Sequence, residues 1–196
     1  MSYSYRIEQA IRAAAVLHKN QVRKGKTPFP YVTHLYAVTM IVAEYTNDEN
    51  TIVAALLHDT LEDTDYTKEE LNEDFGHSVL EIVESVTAAS IADDESWIDS
   101  RKRFVKKLKD ASQEALLICA ADKIHNMRCV VEEYYDSHSQ FLADFGGTLE
   151  DRILMYQEMS NVLNRNMKSD ILSEFNHVFD EYKKFIESIE RERLAL

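Results

Sequence analysis

The chain has 196 residues, with 35 Asp and Glu against 22 Lys and Arg, a formal net charge of −13 at pH 7. A field of that sign repels nucleic acid and anionic membrane surfaces, so neither is an expected partner, and an anionic ligand needs a local basic patch. Only four glycines and two prolines argue against a many-turned sandwich or barrel, and 45% hydrophobic residues suffice for a core. The expectation is an all-α fold of about eight to ten helices, one domain over residues 1–196. Cys119 and Cys129 lie too far apart along a helix to bridge, and no secretory signal or apolar run of spanning length is evident, which points to the cytoplasm and to reduced thiols.

From Ile7 to Val22 the apolar residues Ile7, Ala10, Ile11, Ala14, Ala15 and Leu17 follow a helical period. A basic loop follows, Arg23-Lys24-Gly25-Lys26-Thr27-Pro28-Phe29-Pro30, and Pro30 stops any helix before it. The second helix is expected from about Tyr31 to Tyr45, with His34 in its first turn. A third runs from about Glu49 to Leu61, capped by Asp48, with His58 and Asp59 in its last turn. Thr67-Lys68-Glu69-Glu70 has the form of a capping box, opening a short helix that Gly76 ends. Val79 to Ala88 reads as another amphipathic helix, and the acidic segment Ser90 to Ser96 as a loop. Arg101 to Lys109 then gathers six of the 22 basic residues within nine positions. Ser112 opens a helix that carries Asp122-Lys123-Ile124-His125-Asn126-Met127-Arg128 and runs to about Tyr134. Two long amphipathic helices, roughly Leu149 to Asn164 and Ile171 to Ile189, complete the domain.

Residues three and four apart share a helix face, so Glu62 and Asp63 project on the side of Asp59, and Asn126 on the side of Asp122. Imidazole nitrogens from His34 and His58, with carboxylates from Asp59 and Asp122, make a mixed nitrogen and oxygen donor set. That set suits Mn, Fe, Zn or Mg better than a thiolate-loving metal. Such an ion makes hydroxide available at neutral pH and polarises a phosphoryl oxygen, and Glu62 or Asp63 can then move protons. Glu62, Asp63 and Asp65 are hard to explain as a merely polar helix end, because negative charge there is unfavourable without a compensating cation. Plainer readings hold elsewhere: His18 as a core residue, His77, His138 and His177 as surface or packing residues. The run Arg101 to Lys109 reads equally as a solvated helix face.

Taken in order, Tyr31-Val32-Thr33-His34, Leu56-Leu57-His58-Asp59-Thr60-Leu61-Glu62-Asp63-Thr64-Asp65, Phe75-Gly76, Val86-Thr87 and Ala121-Asp122-Lys123-Ile124-His125-Asn126-Met127-Arg128 resemble the HD-domain phosphohydrolases. Within them the series is similar to the RelA/SpoT-type hydrolase domain, including the small stand-alone alarmone hydrolases. The resemblance covers about Ile7 to Val130. It implies that His34, His58, Asp59 and Asp122 ligate a metal, Mn²⁺ by preference with other divalent ions as substitutes. It also implies that Glu62 and Asp63 position or activate water and that Asn126 contacts substrate, while Arg23-Lys24 match a basic pair ahead of the first metal histidine. The implied reaction removes the 3′-pyrophosphate of guanosine tetra- or pentaphosphate (ppGpp or pppGpp), giving GDP or GTP and pyrophosphate. A small-molecule nucleotide is thus the expected partner, and Arg23, Lys24, Arg101 and Lys102 are candidates to meet its phosphates.

Leu35 stands where the family usually has proline, and Ile118-Cys119-Ala120 replaces its apolar-Lys-Leu lead into Ala-Asp. Beyond about Val130 nothing matches, leaving residues 138–196 as a helical extension, and a hydrolase without a synthetase domain is expected. Two other readings stand beside this one: an HD phosphohydrolase acting on another nucleotide, such as a deoxynucleoside monophosphate or NADPH, and a non-catalytic nucleotide-binding module. The apolar stripes of the last two helices are expected to pack into the core, with a homo-oligomer face as their other use.

Overall fold

The computed structural model describes residues 3–89, 95–145 and 148–195, with side chains through Glu192. Its helices are α1 (Tyr5–Leu17), α2 (Val32–Tyr45), α3 (Glu49–Leu57), α4 (Thr60–Asp63), α5 (Lys68–Phe75), α6 (His77–Val86), α7 (Trp97–Lys107), α8 (Gln113–Tyr134), α9 (His138–Asp144), α10 (Leu149–Asn166) and α11 (Ile171–Ala195). A 3-10 turn, Leu108–Asp110, extends α7. Among the described residues the strand-like pairing is confined to an isolated bridge between Val22 and Pro30, so the fold is all-α. Most of the segment expected as an acidic loop, Ser90 to Ser96, lies outside the described residues; Ser96 itself caps α7 by accepting from the Asp99 N–H.

The helix starts follow the capping signals of the chain. Asp48 accepts from the Thr51 N–H at 2.8 Å, Ser112 caps α8, and Thr67 and Glu70 form the reciprocal capping box of α5. Each such cap satisfies an amide that the helix leaves unpaired and stabilises by about 1 kcal/mol. Gly76 ends α5 at φ 84°, a conformation that favours glycine, and α6 begins directly after it.

Two helices form the centre. In α3 every residue from Thr51 to Leu57 is buried, and in α8 the run Ala115 to Asp122 is buried on all sides. A helix apolar all round needs neighbours on every face. Accordingly α1, α2 and α6 pack on α3, while α11, α2 and α6 pack on α8. Against this centre α10 packs on both α11 and α7, which brings the C-terminal third over the polar end of α3.

Two boundaries differ from expectation. α1 stops at Leu17 rather than Val22, because His18 turns inward, its Nδ1 lying 2.6 Å from Gln21 Oε1, and the chain turns through residues 18–20, with the Gln21 N–H donating to His18 O at 3.0 Å, before the Val22–Pro30 bridge. α3 stops at Leu57, so His58 and Asp59 lie in the joint between α3 and α4 instead of in a last helical turn. Side chains satisfy the carbonyls freed there: Thr60 Oγ1 donates to Leu57 O at 2.6 Å and His58 Nδ1 to Ala55 O at 2.8 Å.

Candidate functional site

Three pieces of backbone converge at this joint. His34 sits in the first turn of α2, whose start is fixed by Thr33 Oγ1 donating to Pro30 O at 2.7 Å. Asp122 comes from the middle of α8, and His58 and Asp59 from the break after α3. His34 Nε2 is 3.2 Å from Asp122 Oδ1 and 3.6 Å from Asp59 Oδ2; His58 Nε2 is 3.3 Å from Asp59 Oδ2 and 4.0 Å from Asp122 Oδ1. Atoms of His34, His58 and Asp59 that could ligate an ion all lie within 4.8 Å of one another, and Asp122 Oδ1, from α8, lies 3.2 Å from His34 Nε2 beside that group.

The donor chemistry fits a divalent cation. His58 Nδ1 donates to Ala55 O, so in the neutral ring Nε2 carries the lone pair, and that nitrogen is buried without a hydrogen-bond partner. A buried polar atom in that state costs about 1–3 kcal/mol. It also faces a carboxylate oxygen, acceptor against acceptor, an arrangement that a cation between the two atoms would relieve. Nitrogen and oxygen donors in this mixture suit Mn, Fe, Zn or Mg.

Around these four residues lies a second layer of contacts. Tyr31 Oη donates to Asp59 Oδ2 at 2.7 Å, and burial with the adjacent carboxylate pushes the phenol pKa well up, so it stays a donor. Asp122 receives Lys123 Nζ on Oδ2 at 2.6 Å and Asn126 Nδ2 on Oδ1. Although burial opposes ionisation, the Lys123 ammonium holds the Asp122 carboxyl well below the usual carboxylate range. Arg23 Nη2 donates to Asn126 Oδ1 at 2.6 Å, extending the chain from Asp122 to the basic loop. Burial lowers His34, and it lowers His125, whose Nδ1 is 2.9 Å from His34 Nδ1, to about 4.

His34, His58, Asp59 and Asp122, with Tyr31, Lys123 and Asn126, form the floor of a cleft of about 450 Å³. Glu62 and Asp63 project into it from α4; Glu62 Oε2 accepts from the Ala88 N–H at 2.9 Å. Burial, and then the charge of Asp59, pushes both carboxyl pKa values up. Of the basic candidates, Lys24 and Arg101 line the cleft, and Lys24 is also tied to Asp144 O at 2.9 Å. Arg23 bonds to Asn126 and does not line the cleft, and Lys102 is exposed and does not line it either. Arg103 turns to Glu95, and Lys107 donates to Thr87 O at 3.1 Å on the other side of Glu62.

Several cleft residues were not foreseen from the chain. Trp97 and Phe104 come from α7, Phe145 from the end of α9, and Arg152, Met155 and Tyr156 from α10. Arg152 is 8% exposed, its guanidinium 5.1 Å from the Phe145 ring centroid and 5.5 Å from that of Trp97. A cation on the buried stripe of α10 was the available signal for it, since an arginine is seldom fully buried without a role. In the chain Tyr31 stands out only as part of a motif, although its position three residues before His34 puts it on the same helical face.

The HD domain family profile matches residues 10–144. A Danio rerio protein, guanosine-3′,5′-bis(diphosphate) 3′-pyrophosphohydrolase MESH1, is 35% identical over 156 residues, covering 71% of this chain and 84% of that one. A Streptomyces coelicolor GTP pyrophosphokinase is 42% identical over 125 residues, 62% of this chain but 14% of the longer protein, so the chain spans only a small part of such relatives. Among solved structures, one described as a metazoan ortholog of SpoT that hydrolyzes ppGpp superposes with a TM-score of 0.75 at 26% identity, covering 92% of this chain and 97% of the other. With the family profile spanning most of the chain and the His, His-Asp and Asp residues gathered at one cleft, the chain belongs to the HD domain family.

Proposed function

We propose that this chain hydrolyses guanosine 3′,5′-bis(diphosphate), or the corresponding pentaphosphate, at the 3′-pyrophosphate, releasing pyrophosphate and GDP or GTP. In this reading His34, His58, Asp59 and Asp122 would hold a divalent cation, with Mn²⁺ the preferred ion. The observation that carries the metal-dependent chemistry is the buried, unpartnered His58 Nε2, 3.3 Å from the Asp59 carboxylate at the floor of an acid-lined cleft. The choice of nucleotide is supported by the Danio rerio relative, whose name specifies that substrate and most of whose length is matched.

When bound, the cation supplies a lowered pKa for water and charge stabilisation at a phosphoryl oxygen. The remaining work falls to the side chains. Glu62 and Asp63 have raised pKa values, which makes them able to take the proton of the attacking water and to return one to the leaving oxygen. The Ala88 N–H fixes the Glu62 carboxylate in place for this. Lys24 and Arg101 are placed to meet phosphate oxygens, which an otherwise acidic chain would repel. Trp97, Phe145 and Tyr156 line the same cleft and are the aromatic groups a purine would meet there.

The test is to incubate metal-stripped protein, reloaded with Mn²⁺, with guanosine tetraphosphate and to separate the products. Equimolar GDP and pyrophosphate are expected. Release of orthophosphate, or turnover of a deoxynucleoside monophosphate or NADPH with guanosine tetraphosphate untouched, would assign the site to another nucleotide.

A further inference from the structure

Among the groups that this chemistry does not use, His125 has the most specific geometry. It sits on α8 one turn after Asp122, and its ring meets that of His34 at a centroid distance of 4.8 Å and an interplanar angle of 53°. The two Nδ1 atoms are 2.9 Å apart, a hydrogen-bond distance in which one must donate and the other accept. Resting on the metal-site reading above, we propose that His125 is a positioning residue: it accepts from His34 Nδ1 and thereby fixes the His34 tautomer whose Nε2 is free to ligate.

The alternatives for His34 are limited. If its proton were on Nε2, that atom would donate to Asp122 Oδ1 at 3.2 Å, and the ring would have no lone pair to offer at the site. With the proton on Nδ1, the ring needs an acceptor on the side away from the cleft, and His125 Nδ1 is the atom found there. His125 must then carry its own proton on Nε2; Cys129 Sγ lies beside the ring, 3.6 Å from Nδ1 and 3.7 Å from Nε2. His58 uses the Ala55 carbonyl for the same purpose, so the two ligand rings are oriented by unlike partners. A backbone carbonyl is present in any variant; an imidazole can be exchanged. That difference makes the role of His125 testable.

The experiment titrates Mn²⁺ into the metal-stripped full chain by calorimetry for the wild type, His125→Leu and His125→Asn. Asparagine keeps an acceptor oxygen at the position of Nδ1, whereas leucine keeps the bulk alone. Leucine is expected to weaken Mn²⁺ binding about 10–100-fold, and asparagine to remain within a few-fold of the wild type. In the leucine variant activity should return as Mn²⁺ is raised, with kcat restored at saturation. His125→Ala repeats the comparison with no risk of overpacking, and metal-free melting temperatures verify that each variant is folded. Equal Mn²⁺ affinity in the wild type and the leucine and alanine variants would overturn the proposal alone. So would asparagine binding as weakly as leucine, since the loss would then come from packing. A wild type that binds no Mn²⁺ would overturn the metal reading, and this inference with it.

Discussion

Arg23 Nη2 donates to Asn126 Oδ1 at 2.6 Å, and Asn126 in turn donates to Asp122 Oδ1, so a residue of the basic loop is connected through one amide to the proposed metal carboxylate. The loop is therefore more than a cationic patch. Removing the guanidinium leaves Asn126 free to turn away from Asp122, and hydrogen bonds to charged groups contribute about 1.5–3 kcal/mol. Arg23→Ala should lower kcat/KM about 10–100-fold. Asn126→Ala should have a similar effect, and the double variant should lose clearly less than the sum. Strict additivity in that cycle would mean that Arg23 acts on the substrate directly.

Metal removal should affect stability as well as activity. His58 Nε2 and the carboxylates of Asp59 and Asp122 crowd one another in a buried space, so a cation that binds only the folded chain stabilises it by mass action. At 100 times the dissociation constant the gain is about 2.7 kcal/mol, which for a chain of this size raises Tm by roughly 5–10 °C. Thermal melts with chelator, and then with added Mn²⁺, should show this shift in the wild type. Asp59→Ala should melt at one temperature under both conditions. A metal-dependent shift of the same size in that variant would place the ion elsewhere.

The residues that gather at the cleft, His34, His58-Asp59 and Asp122, could be read from the chain because the chemistry proposed for them depends on residue type and order, whatever the exact backbone path. The capping residues Asp48, Thr67 and Ser112 were readable for a similar reason, since each acts within three residues of itself. The break between α3 and α4 was not, because it depends on Thr60 and His58 bonding back to carbonyls, a choice that an apolar period does not reveal. Nor was the far wall of the cleft. Arg152, Met155 and Tyr156 lie on a stripe of α10 that looks like any core-facing stripe, and only the packing of α10 on α7 decides that part of it faces a ligand space. For the same reason Arg101 and Lys102, neighbours in one basic run, are separated by fold rather than by composition.

The two thiols should be chemically distinct. Cys119 is 2% exposed, with its sulfur 3.9 Å from Met159 Sδ, and burial pushes its pKa up to about 12. Cys129 is half-buried, and burial raises its pKa as well. Because the thiolate is the reactive form, a disulfide reagent at pH 8 should titrate Cys129 alone in the native protein, slowly, and Cys119 only after denaturant is added. Cys129→Ser should remove the native signal entirely. Two equivalents released together from folded protein would show that the α8–α10 contact opens readily.

Gly76 joins α5 to α6 at φ 84° and ψ 163°, and a Cβ built there would meet no atom within 4 Å. Space is therefore not the constraint; the backbone is. That region of φ and ψ is almost exclusively glycine's, and holding another residue in it costs about 1–3 kcal/mol. Gly76→Ala should lower Tm by roughly 2–12 °C, given about 2–4 °C per kcal/mol for a chain of this length. Thr67→Ala, at the other end of α5, removes the capping box and should cost about 1 kcal/mol, while Thr67→Ser keeps the hydroxyl and should cost much less. The two sites are at opposite ends of one short helix whose buried residues, Leu71 and Phe75, anchor it to the core, and α5 packs on α6. Both substitutions should leave Mn²⁺ affinity unchanged, because α4 is held to the cleft by its own contacts, among them Glu62 to the Ala88 N–H. Should Gly76→Ala melt with the wild type, the α5–α6 joint relaxes into an ordinary conformation and the glycine is not required there.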